Sequence, residues 1–142
     1  MPDWSAPDQR WRLLAPDGAA VVEVRRRAGE PVTRLRALPG GAPAVLLAPG
    51  HGGRRRLRRV ARRAGLAVHA EYVALPSLAT PVALTQVRTG PLRWTARTVL
   101  TVPSGVTRLH RPAWAAIRLV RAVPRLLGLP AGGRVLVGRR LP

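Results

Sequence analysis

An unbroken apolar stretch that leads through a glycine-containing loop into a basic helix constrains this chain more than any other feature. Residues 44–48 read AVLLA, and the lack of alternation with polar residues is typical of a strand buried on both faces. The pattern that follows predicts an amphipathic helix over 53–64, which ends at Gly65. Its narrow apolar stripe consists of Leu57, Val60, Ala61 and Ala64. A buried strand followed by an amphipathic helix predicts an α/β fold.

Further strands and a second helix complete the predicted fold. Apolar segments bounded by glycine or proline turns predict strands at 19–26, 66–75 and 133–140. A second amphipathic helix is predicted at 112–123. We therefore expect one α/β domain over residues 1–142, with a small mixed sheet and two amphipathic helices.

The segments between these elements have weaker patterns. Residues 1–12 are a polar lead-in. Residues 27–43 contain several glycines and prolines and are predicted to form a loop with at most one helical turn. Residues 78–132 are predicted to be an insertion-like region that carries the second, basic helix. Within it, residues 96–102 are either a further strand or a buried turn.

Positive charge dominates the chain after its N-terminal part. All 25 basic residues are Arg, and the formal net charge is +19. Residues 1–30 balance to zero, whereas residues 31–142 hold 20 Arg and a single acidic residue, Glu71. A field of this sign attracts phosphates, nucleic acid, anionic lipid or an acidic partner, and it does not choose among them. Cysteine is absent, which excludes disulfides, thiolate catalysis and cysteine-ligated metals.

The sequence carries neither a secretory nor a membrane-spanning pattern. Its first residues include acids where a signal peptide needs basic residues, and the apolar segment that follows in such peptides is missing. No run approaches the roughly 18 apolar residues of a membrane span. We therefore expect a cytoplasmic protein without a transmembrane segment.

The glycine loop before the first helix is the candidate for an anion site. Backbone N–H groups and the positive helix end favour phosphate at such a loop, and the candidate residues are Gly50, Gly52, Gly53, Arg54 and Arg55. The dipole repels arginines in the first turn, which a bound anion would relieve. The dinucleotide pattern, however, needs a third glycine where Arg55 stands, and no Walker Lys–Ser/Thr pair is present. The alternative is a loop that only leads into a solvated basic helix.

Other combinations of polar residues give no catalytic or metal assignment. His51, His69 and His110 are not at helical ligand spacing, so no metal site is predicted. His69 and Glu71 are two residues apart on a strand and are expected to share a face. That arrangement is as compatible with a structural hydrogen bond as with acid–base chemistry.

Three segments, in order, resemble the C-terminal half of class I S-adenosylmethionine-dependent methyltransferases. Residues 10–24 resemble the helix, the "leucine-leucine-x-proline-glycine-glycine" turn and the fifth strand of that family, with Asp17 in place of the first glycine. Residues 55–77 are similar to its next helix, an "alanine-glycine-phenylalanine" turn with Leu66 in place of Phe, and its sixth strand. Residues 133–140 resemble its seventh strand, which inserts antiparallel beside the sixth.

This resemblance implies a truncated or degenerate methyltransferase with a Rossmann-like fold. In that family the N-terminal half binds the cofactor, so no cofactor-binding or catalytic residue is carried over to this chain. S-adenosylmethionine is then expected only if another chain completes the fold, and this chain would supply a substrate-side or partner-binding surface. The alternative is a non-enzymatic, Arg-rich module that binds nucleic acid or an anionic membrane surface.

Overall fold

A computed structural model describes most of the chain: residues 10–25, 29–79, 81–98, 115, 117–119, 122–123, 126 and 131–142. The strands are β1 (Ala20–Glu23), β2 (Pro43–Pro49), β3 (Leu66–Pro76), β4 (Pro81–Gln86) and β5 (Gly133–Arg140). The helices are α1 (Gly29–Arg36), α2 (Gly53–Ala64) and α3 (Thr89–Thr98). A short 3₁₀ helix at Arg10–Leu14 precedes them.

The strands form one open mixed sheet in the order β1-β2-β5-β3-β4. β1 and β2 are parallel, and β5 lies antiparallel between β2 and β3, which therefore run in the same direction. β4 pairs antiparallel with the outer side of β3. The predicted α/β class and mixed sheet are confirmed, with β4 as a strand that the sequence did not predict.

β2 is buried on both faces, as its unbroken apolar sequence predicts. It pairs with β1 on one side and with β5 on the other. Leu46 packs against α2 residues on one face of the sheet, and Val45 packs with Val135 and Val137 on the opposite face. Val45 and Leu46 are both completely inaccessible to solvent. Neither face of β2 can therefore accept a polar side chain without desolvating it.

Helix α2 has the bounds that its sequence pattern predicts. Each member of the predicted apolar stripe is buried, and the stripe joins the core formed with β2 and α1. The helix ends at Gly65, which has a left-handed backbone with φ of 67° and donates to the carbonyls of Ala61 and Arg62. This is the C-terminal cap that glycine makes without a steric penalty.

The prediction of a loop over residues 27–43 is wrong. The structure places helix α1 there, and residues 37–42 form the irregular turn that leads into β2. Leu35 is fully buried in the core, with Val32 and Leu38 packed against it, so residues three apart form an apolar stripe. The prolines and glycines that suggested a loop are compatible with this helix, because Pro31 lies in its first turn and Gly40 follows its end.

The region after β3 contains a strand and a helix that the sequence did not predict. β4 extends the sheet, and α3 packs Leu92 against Val73 and Leu75 of β3. The first residues of 96–102 belong to α3, so neither a strand nor a buried turn begins there. The error has a physical cause: Leu92, Thr95 and Ala96 are buried at helical spacing, but only one of them is strongly apolar.

Other predicted features fall partly or wholly outside the described residues. The helix predicted at 112–123 lies mostly outside them, as does most of the polar lead-in at 1–12. The predicted strand at 19–26 is shorter in the structure, although Val24 continues the pairing by donating to the carbonyl of Leu47 at 2.7 Å. Within the described ranges, no helix is long and apolar enough to cross a bilayer.

Leu136 tests the importance of the inserted strand β5. Its side chain is fully buried in the core between the sheet, α1 and α2. Leu136→Ala should lower the free energy of unfolding by about 2–5 kcal/mol, because it removes buried methyl groups and leaves a cavity. Chemical denaturation followed by circular dichroism measures this loss.

Leu13→Ala is the matched control, because the same atoms are removed from a side chain that is 88% exposed. It should change the free energy of unfolding very little. Equal losses in the two variants would contradict the central position of β5.

Candidate functional site

The glycine loop between β2 and α2 has a structural reason for each of its glycines. Gly50 and Gly52 have φ of 79° and 75°, a region that side chains rarely tolerate. A Cβ on Gly53 would lie 2.5 Å from the Cβ of Ala48, so the helix could not start this close to the strand. The N–H of Gly50 donates to the carbonyl of Gly132 at 2.8 Å. The path of the chain alone accounts for this loop.

The two candidate arginines after the loop separate in the structure. Arg54 turns toward the sheet, and its Nε lies 3.3 Å from a carboxylate oxygen of Glu71. Arg55 is exposed. The repulsion between Arg54 and the N-terminal end of the helix dipole is therefore offset within the protein by a carboxylate on β3.

Glu71 is the centre of an ion cluster on the sheet face that α2 covers. Its side chain is only 5% exposed. Arg134 of β5 donates to Oε1 at 3.0 Å, and Arg58 of α2 donates two hydrogen bonds to Oε2 at 2.8 and 3.1 Å. Arg54 completes the cluster. Both carboxylate oxygens are thus satisfied by charged donors, as a buried carboxylate requires.

The ion cluster of Glu71, Arg54, Arg58 and Arg134 carries an excess of positive charge. Three guanidiniums surround one carboxylate, and the side chain of Arg134 is itself only 10% exposed. Burial lowers the pKa of Arg134 from its usual value. The carboxylate of Glu71 opposes this shift, whereas the charges of Arg54 and Arg58 add to it. A further anion near these guanidiniums would be stabilised by them.

A cavity of about 370 Å³ opens beside the ion cluster, between helices α2 and α3. The described residues that line it are Arg54, Val73, Val87, Arg88, Thr89, Leu92 and Arg134. Arg54 and Thr89 belong to the first turns of α2 and α3, respectively. Val73 and Arg134 are partners across β3 and β5 and form its floor. This volume is within the range of small-molecule pockets, about 300–1,000 Å³.

The histidines do not join this site. His51 and His69 are exposed, and His110 lies outside the described residues. The β3–β5 register shifts between Val68 and Ala70, and beyond the shift Glu71 is buried against guanidiniums. In the part of the chain that the structure describes, no three His, Cys, Asp or Glu side chains are arranged to hold a metal ion.

Sequence reasoning identified Arg54 and Glu71 but missed the residues that complete the site. Arg58 and Arg134 are 76 residues apart, and nothing local in the sequence relates them. One signal was present: Glu71 is the single acid after residue 30, and it lies in an apolar strand. A carboxylate in such a strand needs a cation across the sheet or from a covering helix.

Glu71→Gln tests whether the ion cluster holds the buried guanidinium in place. The change leaves Arg134 buried without its carboxylate and should lower the free energy of unfolding by about 3–5 kcal/mol. Denaturant titration measures the loss. Glu23→Gln is the control, because Glu23 pairs with Arg25 on the exposed surface at 3.0 Å and water screens that pair.

A double variant separates charge burial from packing. Glu71→Gln combined with Arg134→Met removes the carboxylate and the buried guanidinium together. Its free energy of unfolding should exceed that of Glu71→Gln alone, because no buried charge is left without its partner. If the double variant is less stable than the single one, the interpretation of the cluster is incorrect.

Comparison with known proteins does not assign this site to a family. Protein-family models, curated proteins and solved structures provide no match to the chain.

Proposed function

We propose that this chain is the C-terminal part of a fold like that of class I S-adenosylmethionine-dependent methyltransferases. In this proposal it supplies the surface on the side of the methyl acceptor, or of the polypeptide that carries the cofactor half, and has no independent catalysis. The observation that supports it is the position of β5. The last strand of the chain is antiparallel to its neighbours and lies between two strands that run in the same direction.

The strand pairing agrees with the order that the sequence resemblance implies. The segment that resembles the sixth strand of the family is β3, and the segment that resembles the seventh is β5. The resemblance implies that the seventh strand inserts antiparallel beside the sixth, and β5 pairs antiparallel with β3 over most of its length. Inserting a C-terminal strand inside a sheet is a specific topology, because sequential strands are neighbours more often than not.

The segment that best corresponds to the fifth strand is β2 rather than β1. In the structure, helix α1 leads through Leu38, Pro39, Gly40 and Gly41 into β2. This turn has both glycines of the family pattern, whereas Asp17 replaces one of them before β1. β2 also pairs directly with β5, on the side opposite β3. Under the proposal, β1 is therefore one strand further into the cofactor half than the sequence resemblance alone indicates.

The outer edge of β1 is where a cofactor-binding half would join the sheet. β2 is the strand paired with β1 among the described residues. Val24 donates to β2, and N–H groups alternate along a strand, so those of Val21 and Glu23 point to the outer edge. An open edge with free donors and acceptors is a template for another strand.

Val21→Pro tests the proposed edge. Proline removes an outward N–H and leaves the pairing of β1 with β2 intact. The tagged chain should co-purify from its native source with a polypeptide that is labelled by photo-crosslinking to radioactive S-adenosylmethionine, and Val21→Pro should abolish this. Isothermal titration of the chain alone with S-adenosylmethionine should give no saturable heat.

Val82→Pro is the matched control, because Val82 lies on the other outer strand, β4, and is 71% exposed. It should leave the labelled partner bound. Equal labelling with Val21→Pro, or the absence of any labelled partner, would refute the proposal. Saturable binding of S-adenosylmethionine by the chain alone would refute the division between two halves and would move the cofactor to the loop at 50–53.

A second candidate function is binding to nucleic acid through α2. The helix has no acidic residue, and Arg55, Arg59 and Arg62 are exposed at spacings of four and three residues, which places them on one stripe. Such a stripe can follow the phosphates of a strand. The proposed membrane-surface alternative depends on the helix at 112–123, most of which lies outside the described residues.

Replacing the three stripe arginines with glutamine tests this candidate. A plot of the logarithm of the affinity for single-stranded RNA against the logarithm of the salt concentration has a negative slope. The magnitude of this slope should fall by roughly 0.7 for each phosphate contact removed. Fluorescence anisotropy over a salt series measures the slope. A triple variant at the exposed Arg34, Arg93 and Arg139 has the same net charge and is the control. Equal changes in both variants would mean that only the overall charge attracts RNA.

A further inference from the structure

We propose that the cavity between α2 and α3 binds a small organic anion, a carboxylate or phosphate monoester attached to an apolar group. This inference goes beyond the function proposed above, because it depends on described residues of this chain alone. Neither a methyl group nor a partner polypeptide is needed for it.

The guanidiniums around Glu71 exceed what its carboxylate needs. Arg134 satisfies Oε1 at 3.0 Å, and Arg58 satisfies Oε2 with two hydrogen bonds. Arg54 adds a longer contact of 3.3 Å. Arg88, which lies after β4, adds a further guanidinium to the cavity wall. A structural ion pair would be complete without Arg54 and Arg88.

The surplus positive charge lines the cavity. Arg54 lines the cavity from the first turn of α2, and Arg88 lines it from the residue before α3. Arg134 lines its floor. No acidic residue is among the described residues that line it. Neither α2 nor α3 has an acidic residue in its first turn, so the positive ends of both helices remain uncompensated by their own side chains. An oxyanion is the ligand that this surface stabilises most.

The rest of the cavity wall suits an apolar group attached to the anion. Val73, Val87 and Leu92 form an apolar part of the wall, beside the hydroxyl-bearing Thr89. A cavity of about 370 Å³ is near the lower limit for small-molecule pockets. It fits an anion attached to one ring or a short chain better than a dinucleotide. Guanidinium groups bind carboxylates and phosphates alike with paired hydrogen bonds, so the shared chemistry is that of an oxyanion with an apolar substituent.

Three probes that share one phenyl ring test this proposal by isothermal titration: phenyl phosphate, benzoate and the neutral benzyl alcohol. The titrations use about 0.15 M salt, so that long-range attraction to the basic surface is screened. At least one anion should bind saturably at a single site, and benzyl alcohol should not. Stronger binding of phenyl phosphate identifies a phosphate ligand, and stronger binding of benzoate identifies a carboxylate; either result supports the proposal.

Matched arginine variants locate the binding. Arg88→Gln should weaken the affinity for the bound anion about tenfold, the effect of losing one charge-assisted hydrogen bond. Arg93→Gln removes one positive charge, as Arg88→Gln does, but from a residue of α3 that does not line the cavity. It should leave the affinity unchanged. Arg54→Gln and its exposed neighbour Arg55→Gln form a second pair. If Arg54→Gln perturbs the fold through Glu71, the first pair still decides the question.

Three results would overturn the proposal. The first is no saturable binding of either anion. The second is binding of benzyl alcohol as tight as that of the anions. The third is equal weakening by Arg88→Gln and Arg93→Gln, because this would assign the binding to net charge rather than to the cavity.

Discussion

The antiparallel insertion of β5 between β2 and β3 is the constraint on which the rest of the structure depends. Without this strand, β1 and β2 would form one pair and β3 and β4 another, with no hydrogen bonds between them. β5 supplies buried side chains to both faces, with Leu136 on the face of α2 and Val135 on the other. Gly138 permits the close approach to β3, because a Cβ there would lie 2.6 Å from the carbonyl oxygen of Ala67.

The same insertion creates the electrostatic centre of the molecule. It brings Arg134 under α2 and opposite the strand that carries Glu71, so residues 63 positions apart form a buried pair. Burial of either group alone would cost several kcal/mol, because charge is poorly solvated in the interior. Pairing offsets that cost, and in the described part of the chain no buried side-chain nitrogen or oxygen lacks a hydrogen-bond partner. The ion cluster therefore joins β3, β5 and α2 by hydrogen bonds, in addition to the apolar packing around it.

Sequence reasoning succeeded where local pattern and burial agree. The apolar run at 44–48, the stripe of α2 and the terminal strand at 133–140 each have one interpretation, and the structure confirms them. It failed at α1 and α3, whose buried faces contain few large apolar residues. At α1, prolines and glycines also suggested a loop. The sequence identified only part of the site. Arg134 and Arg88 are distant from Arg54 in the sequence, and only the folding of the chain brings them to the same cavity. Because all 25 basic residues are Arg, residue type alone does not distinguish a buried guanidinium from a solvated one.

The position of the cavity follows from the direction of the strands. β2 and β3 run the same way, and α2 begins directly after β2, so Arg54 lies outside the carboxyl end of that strand. Ligands of open α/β sheets bind at this end, because helix N-termini and loops converge there. Although β4 runs the opposite way, Thr89 at the start of α3 lines the same cavity, and β5 contributes a guanidinium from the sheet itself. The two proposals use different parts of this arrangement: one needs the outer edge of β1, the other the crevice above β3 and β5. Under the two proposals, blocking the outer edge of β1 should leave anion binding unchanged, and replacing Arg88 should leave binding of a cofactor-carrying polypeptide unchanged.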